Sequence, residues 1–104
     1  MCRSPVGIGR GKLVRGKIPQ IIRSRGTDPV VRVADREEYH DLLRSKLSEE
    51  VAEFLDSGDP EELADILEVV LTLAAELGVD AARLEALRAA KAAERGGFTE
   101  RIVW

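Results

Sequence analysis

The chain is 104 residues long, with 44% apolar residues but only 4% aromatic ones and a formal net charge of −3. This is enough chain for one domain with a core of Leu, Val, Ile and Ala, and too little for two. No apolar run reaches the roughly eighteen residues of a membrane span, and no apolar leader precedes a small-residue cleavage site, so a cytoplasmic protein with no membrane partner is expected.

Cys2 and His40 are the single residues of their types, which excludes an internal disulfide and a metal site built on Cys. The charge is uneven. Seven basic residues (Arg3, Arg10, Lys12, Arg15, Lys17, Arg23, Arg25) and no acid precede Asp28, so the other nine Lys/Arg face all nineteen Asp/Glu, giving +7 and then −10. Such an arm either touches phosphate or serves as a solvated leader. It has no aromatic residues interleaved for base stacking, which counts against a nucleic-acid partner.

Residues 1–11, MCRSPVGIGRG, read as a flexible arm, and 12–104 as a single domain. GIGRGKL fails as a phosphate loop, because Val6 stands where its first glycine belongs, Leu13 where Ser or Thr belongs, and no strand precedes it. KLVRGKIPQIIRSRG, 12–26, allows an extended start and then a short helix from near Pro19 to Gly26. Val30 to Val33 alternate in a β-branched pattern that predicts a short strand. Asp35 predicts a helix cap, with Glu38 as its capping-box partner, for a helix running to about Ser57. In SGDP, 57–60, Gly58 suits a left-handed stop, Asp59 caps the next helix and Pro60 takes its first position. That helix runs to Leu77 and stops at Gly78. A third starts at Asp80 and ends at Gly96-Gly97, and FTERIVW predicts a short closing strand. The expected fold is mainly α, a helical hairpin plus a third helix with a short β element from the terminal segments.

The hairpin carries acids where burial is expected. Advancing about 100° per residue from Tyr39, Leu43 falls near 40°, Phe54 near 60° and Leu47 near 80°, while Glu50 falls near 20°, inside the same apolar sector. Counted likewise from Glu61, the apolar arc of the next helix begins with Val69 near 80°; Glu62 falls near 100° within it and Asp65 near 40° at its border. In an antiparallel hairpin, residues whose numbers add to one total lie at one level. Glu53 therefore faces Glu62, and Glu50 faces Asp65, one helical turn apart. Four carboxylates on a partly buried seam repel one another and lose hydration, unless a divalent cation lies between them. Oxygen-only ligands on rigid helices suit Mg²⁺ or Mn²⁺. The competing explanation makes Glu62 the capping-box partner of Asp59 and leaves Glu49 and Glu53 on a solvated face. It does not place Glu50.

EEVAE (49–53) followed by ELAD (62–65) resembles the paired acidic motifs of the all-α nucleoside triphosphate pyrophosphatases, the MazG-like superfamily that includes phosphoribosyl-ATP pyrophosphohydrolase. Over roughly 12–104, from KLVRGKIP through GDPEELADILEVV to KAAERGGF, the chain is similar to a branch of predicted house-cleaning enzymes. The resemblance implies a MazG-like helical bundle completed as a homodimer or homotetramer. It implies Mg²⁺-dependent hydrolysis of a nucleoside triphosphate between the α and β phosphorus atoms, releasing the monophosphate and pyrophosphate, as house-cleaning of non-canonical nucleotides. Carried over by motif position, Glu50, Glu53, Glu62 and Asp65 are metal ligands, and Glu49 orients or deprotonates the attacking water. The branch commonly has an acid where Gly16 stands, and often another where Gln20 stands.

Phosphates also need cations. Arg88, Lys91 and Arg95 share a face of the third long helix, although basic residues near a helix C-terminus complement its dipole as well. Lys12 and Arg15 are further candidates. The alternative to an enzyme is a non-catalytic helical module that binds a protein or nucleic acid through the basic arm.

Overall fold

A computed structural model describes residues 11–104, so the arm over 1–10 lies outside the described residues. Four helices follow in order: α1 Ile18–Ser24, α2 Arg36–Ser57, α3 Pro60–Glu76 and α4 Ala81–Arg95. Their boundaries follow local chemistry. Asp35 and Asp80 each accept a hydrogen bond from the backbone N–H three residues on, of Glu38 and Arg83 respectively, and so satisfy donors that a helix start leaves orphaned. The expected capping box at α2 is only half formed. The Glu38 carboxylate instead accepts both guanidinium arms of Arg32, at 2.6 and 2.7 Å.

The turn between α2 and α3 sets up everything downstream. Gly58 takes φ 70°, which ends α2 without the steric cost a side chain would incur there, and its N–H closes onto the Phe54 carbonyl at 2.8 Å. Asp59 then caps α3, and Pro60 fills a first-turn position where its missing N–H costs nothing. With so short a turn, α2 and α3 must run back along each other, and they form the principal packing of the fold. Leu42 and Leu43 of α2 with Val69 and Ala74 of α3 make up its buried apolar core. The register holds to the far end of the pair, where His40 Nε2 lies 2.8 Å from Glu76 Oε1. α4 packs on α3 alone, by a smaller contact.

The expected β element does not form among the described residues. Val30 to Val33 are irregular and open, with Val30 and Val33 almost fully exposed. FTERIVW makes a turn, with the Arg101 N–H bonded to the Phe98 carbonyl at 3.2 Å, and then runs on exposed to Trp104. The reason is physical. Alternation marks a segment able to pair, but a strand exists only when a neighbour takes up its backbone N–H and C=O groups. Neither segment meets one among the described residues.

Candidate metal centre

The acids gather at the turn end of the hairpin. Glu50 is buried, only 6% exposed, on the same face of α2 as Leu43. Glu50, Glu62 and Asp65 each offer a carboxylate oxygen lying within 4.8 Å of the other two. Glu53 stands next to Glu62 on the exposed side and does not belong to this trio. The expected rungs therefore face each other, with Glu53 at the margin and the other three inside.

Glu62 does not serve as a capping-box partner. The Asp59 side chain takes the Glu61 N–H at 3.0 Å, and the Glu62 N–H goes to the Asp59 carbonyl at 2.9 Å. The Glu62 carboxylate turns into the seam, where its Oε1 is out of reach of solvent and has no hydrogen-bond partner. Oε1 of Glu50 is in the same position. Unpartnered, desolvated carboxylate oxygens are costly, so these two need a compensating charge or a proton.

The titration behaviour agrees with this geometry. Loss of hydration raises the Glu50 carboxyl above its usual 4.5; Lys46 pulls it back, and the charges of Glu53 and Asp65 push it up again. Glu62 is also raised, first by desolvation and then by Glu53, whose side chain is near enough to share a hydrogen bond that requires a proton on one of the two. Asp65 and Glu50 add to this.

Three cations border the cluster. Lys12 Nζ donates to Glu49 Oε2 at 3.3 Å, and Arg15 Nη2 donates to Asp65 Oδ1 at 2.7 Å. Lys46 Nζ lies 3.5 Å from Glu49 Oε2 and 3.3 Å from Glu50 Oε2. All three line one cleft of about 570 Å³ between the segment 12–18 and the hairpin, a size in the range of small-molecule sites. Glu50 and Asp65 form its acidic end, and Leu13, Val14, Ile18, Tyr39, Leu43 and Val69 supply apolar wall. Gly16 also borders the cleft, and a Cβ there would meet nothing within 4 Å, so the missing acid of the resemblance reflects the sequence and not lack of room.

Lys46 was not among the residues singled out in the sequence. Its signal was present, because it precedes Glu49 by three residues and Glu50 by four, the spacing of helical neighbours. Arg88, Lys91 and Arg95 do not line the cleft. Arg88 is instead held by Glu85 of its own helix at 2.6 and 2.8 Å.

The donor set fits a hard divalent ion. It is all oxygen, it includes two buried oxygens without partners, and it comes from two helices locked by one turn.

Comparisons with known proteins add little. No family model matches the chain, and no solved structure matches it. An uncharacterized protein of Mycolicibacterium smegmatis is 50% identical over 42 residues, a match that covers 40% of this chain and 43% of that protein. None of the described helices is long and apolar enough to cross a membrane.

Proposed function

We propose that this chain is a Mg²⁺-dependent nucleoside triphosphate pyrophosphohydrolase of the MazG-like kind, with Mn²⁺ able to substitute. The observation that carries the reading is Glu50: a buried carboxylate with one unpartnered oxygen, grouped with Glu62 and Asp65, and lining with Asp65 a cleft that cations also line. An acid adopts that position against the cost of desolvation, and the chemistry of the reaction supplies the reason.

Glu50, Glu62 and Asp65 would hold the ion, with Glu53 at the margin available to complete its shell. When bound, such an ion neutralises phosphate charge and makes water a better nucleophile. Glu49, which precedes Glu50 on α2 and does not belong to the trio, would orient the attacking water and take its proton. Lys12, Arg15 and Lys46 would neutralise the phosphates and the leaving pyrophosphate. The apolar side of the cleft is suited to the base. Arg88, Lys91 and Arg95 would reach a phosphate only across an interface with another copy.

The alternative of a binding module worked by the basic arm has less support. Lys12 and Arg15, two of that arm's cations, turn inward onto the acidic hairpin.

A panel of ordinary and modified nucleoside triphosphates, each with Mg²⁺, tests the reading. At least one should yield the monophosphate and pyrophosphate in equal amounts. Release of orthophosphate alone, or no product from any of them, would contradict it.

The enzyme is also proposed to work as a homodimer or homotetramer. Leu55, Leu63, Leu67, Leu77, Val30, Val33 and Trp104 are exposed, more apolar surface than a small monomer comfortably presents to water. An oligomer would also give the two unpaired β-prone segments a neighbour. Light scattering should return at least twice the 11.4 kDa chain mass; a monomer at micromolar concentration would overturn this point.

A further inference from the structure

The segment 11–17 is irregular, and its fixed points are few. Its backbone accepts from the Ile18 N–H at the Arg15 carbonyl and from the Ile21 N–H at the Lys17 carbonyl, both at 3.0 Å, and among the described residues its polar ties to the hairpin are two side chains, Lys12 on Glu49 and Arg15 on Asp65. Gly11 at its start has φ 73°, a left-handed conformation that glycine adopts without side-chain strain, and a Cβ at Gly16 would meet nothing within 4 Å. Such a segment can shift without unpacking the core.

Arg15 is the significant tie. It donates to Asp65 at 2.7 Å, while Asp65 is also one of the three carboxylates that approach one another within 4.8 Å. The guanidinium is 56% exposed and the carboxylate 39%, so the pair is open to water and held weakly. A divalent ion at the trio and the guanidinium would compete for the same acid and repel each other. The ion would have two further ligands in Glu50 and Glu62, whereas beyond Asp65 the guanidinium has only the longer-range attraction of Glu68 and Glu50, so the ion prevails.

We propose that Arg15 and the divalent ion exchange at Asp65. While the carboxylates are free, Arg15 occupies Asp65 and keeps the segment closed over the acidic end of the cleft. Once the ion is bound, Arg15 is released into the same cleft, where its planar fork binds a phosphate of the nucleotide. The consequence is an order of events: ion first, nucleotide second, with one arginine serving both states. This rests on the pyrophosphohydrolase reading above, and it adds a positioning role for Arg15 that the reading does not require.

Calorimetric titration of the whole chain with Mg²⁺ alone tests the exchange without any turnover. Arg15→Ala should bind Mg²⁺ about 5- to 10-fold more tightly than wild type, because a competitor and a repelling charge are both removed. Lys12→Ala, which removes one of the two lysines beside Glu49 and leaves Asp65 paired with Arg15, should change the affinity less than about twofold. At saturating Mg²⁺ the same Arg15→Ala protein should bind inorganic tripolyphosphate, which has no base, about tenfold more weakly. Unchanged or weaker Mg²⁺ binding by Arg15→Ala would overturn the exchange, since it would make Arg15 a prop that holds Asp65 toward the ion. Equal tightening by Lys12→Ala would overturn it too, as a general charge effect. If wild type and both variants bind no Mg²⁺, the pyrophosphohydrolase reading fails along with it.

Discussion

Replacing Glu50 with Gln is expected to abolish pyrophosphate release while leaving the metal-free protein as stable as wild type, or more so. Gln fills the same volume, but it carries no charge for a cation to meet. Losing a ligand from the centre should remove several kcal/mol of transition-state stabilisation, a fall of about a thousandfold in turnover. Stability moves the other way. Glu50 is buried against Glu53 and Asp65, and loss of hydration already disfavours its ionised form. An amide removes that repulsion. Lys46 loses one acid but keeps Glu49 at 3.5 Å. The net effect on the metal-free fold should lie between zero and about 2 kcal/mol of stabilisation, read from urea unfolding. A loss of more than about 1 kcal/mol would make Glu50 a structural residue held by Lys46, and the functional case would fall with it.

The second large effect is a metal response that depends on pH. Because the carboxyls of Glu50 and Glu62 are raised above 4.5 in the folded chain, the native state holds protons that the unfolded state has given up. Their contribution is therefore complete below about pH 4.5 and is lost as pH rises through the raised values. Other groups also titrate, so the informative quantity is the difference between wild type and Glu50→Gln. It should widen in favour of the variant from pH 4.5 to pH 8. Mg²⁺ should reverse the order. At one hundred times its dissociation constant an ion that binds only the folded state contributes about 2.7 kcal/mol. For a domain of this size that is about 10 to 20 °C in melting temperature. The rise should be larger at pH 8 than at pH 5, because ligands must shed protons to bind. Wild type melting at the same temperature with Mg²⁺ or with a chelator would remove the cation from the account.

The hairpin was legible because its determinants are local. Gly58, Asp59 and Pro60 each have a conformational preference that the structure uses, and together they fix where one helix stops and the next begins. The burial of Glu50 was legible from helical periodicity, and its partners followed from the antiparallel geometry once the turn was placed. Glu62 was ambiguous, since a capping box and a seam position demand the same residue; only the Asp59 hydrogen bond to Glu61 separates them. The strands misled because pairing is not local. Val30 to Val33 and FTERIVW carry the right alternation with no neighbour among the described residues to complete it. The contacts of Lys12 and Arg15 join residues 37 and 50 positions apart through an irregular segment, and no periodicity leads to them. Arg88, Lys91 and Arg95 do share a helix face, but α4 carries them elsewhere than the cleft.

Three carboxylates from two helices converge in a partly buried seam, and the proposed function puts a divalent ion between them. A crystal of the whole chain grown with Mn²⁺, and measured where manganese scatters anomalously, tests this directly. The account predicts a peak between Glu50, Glu62 and Asp65, with Oε1 of Glu50 as a ligand. A map with no peak there, and Glu50 still paired only with Lys46, would contradict it.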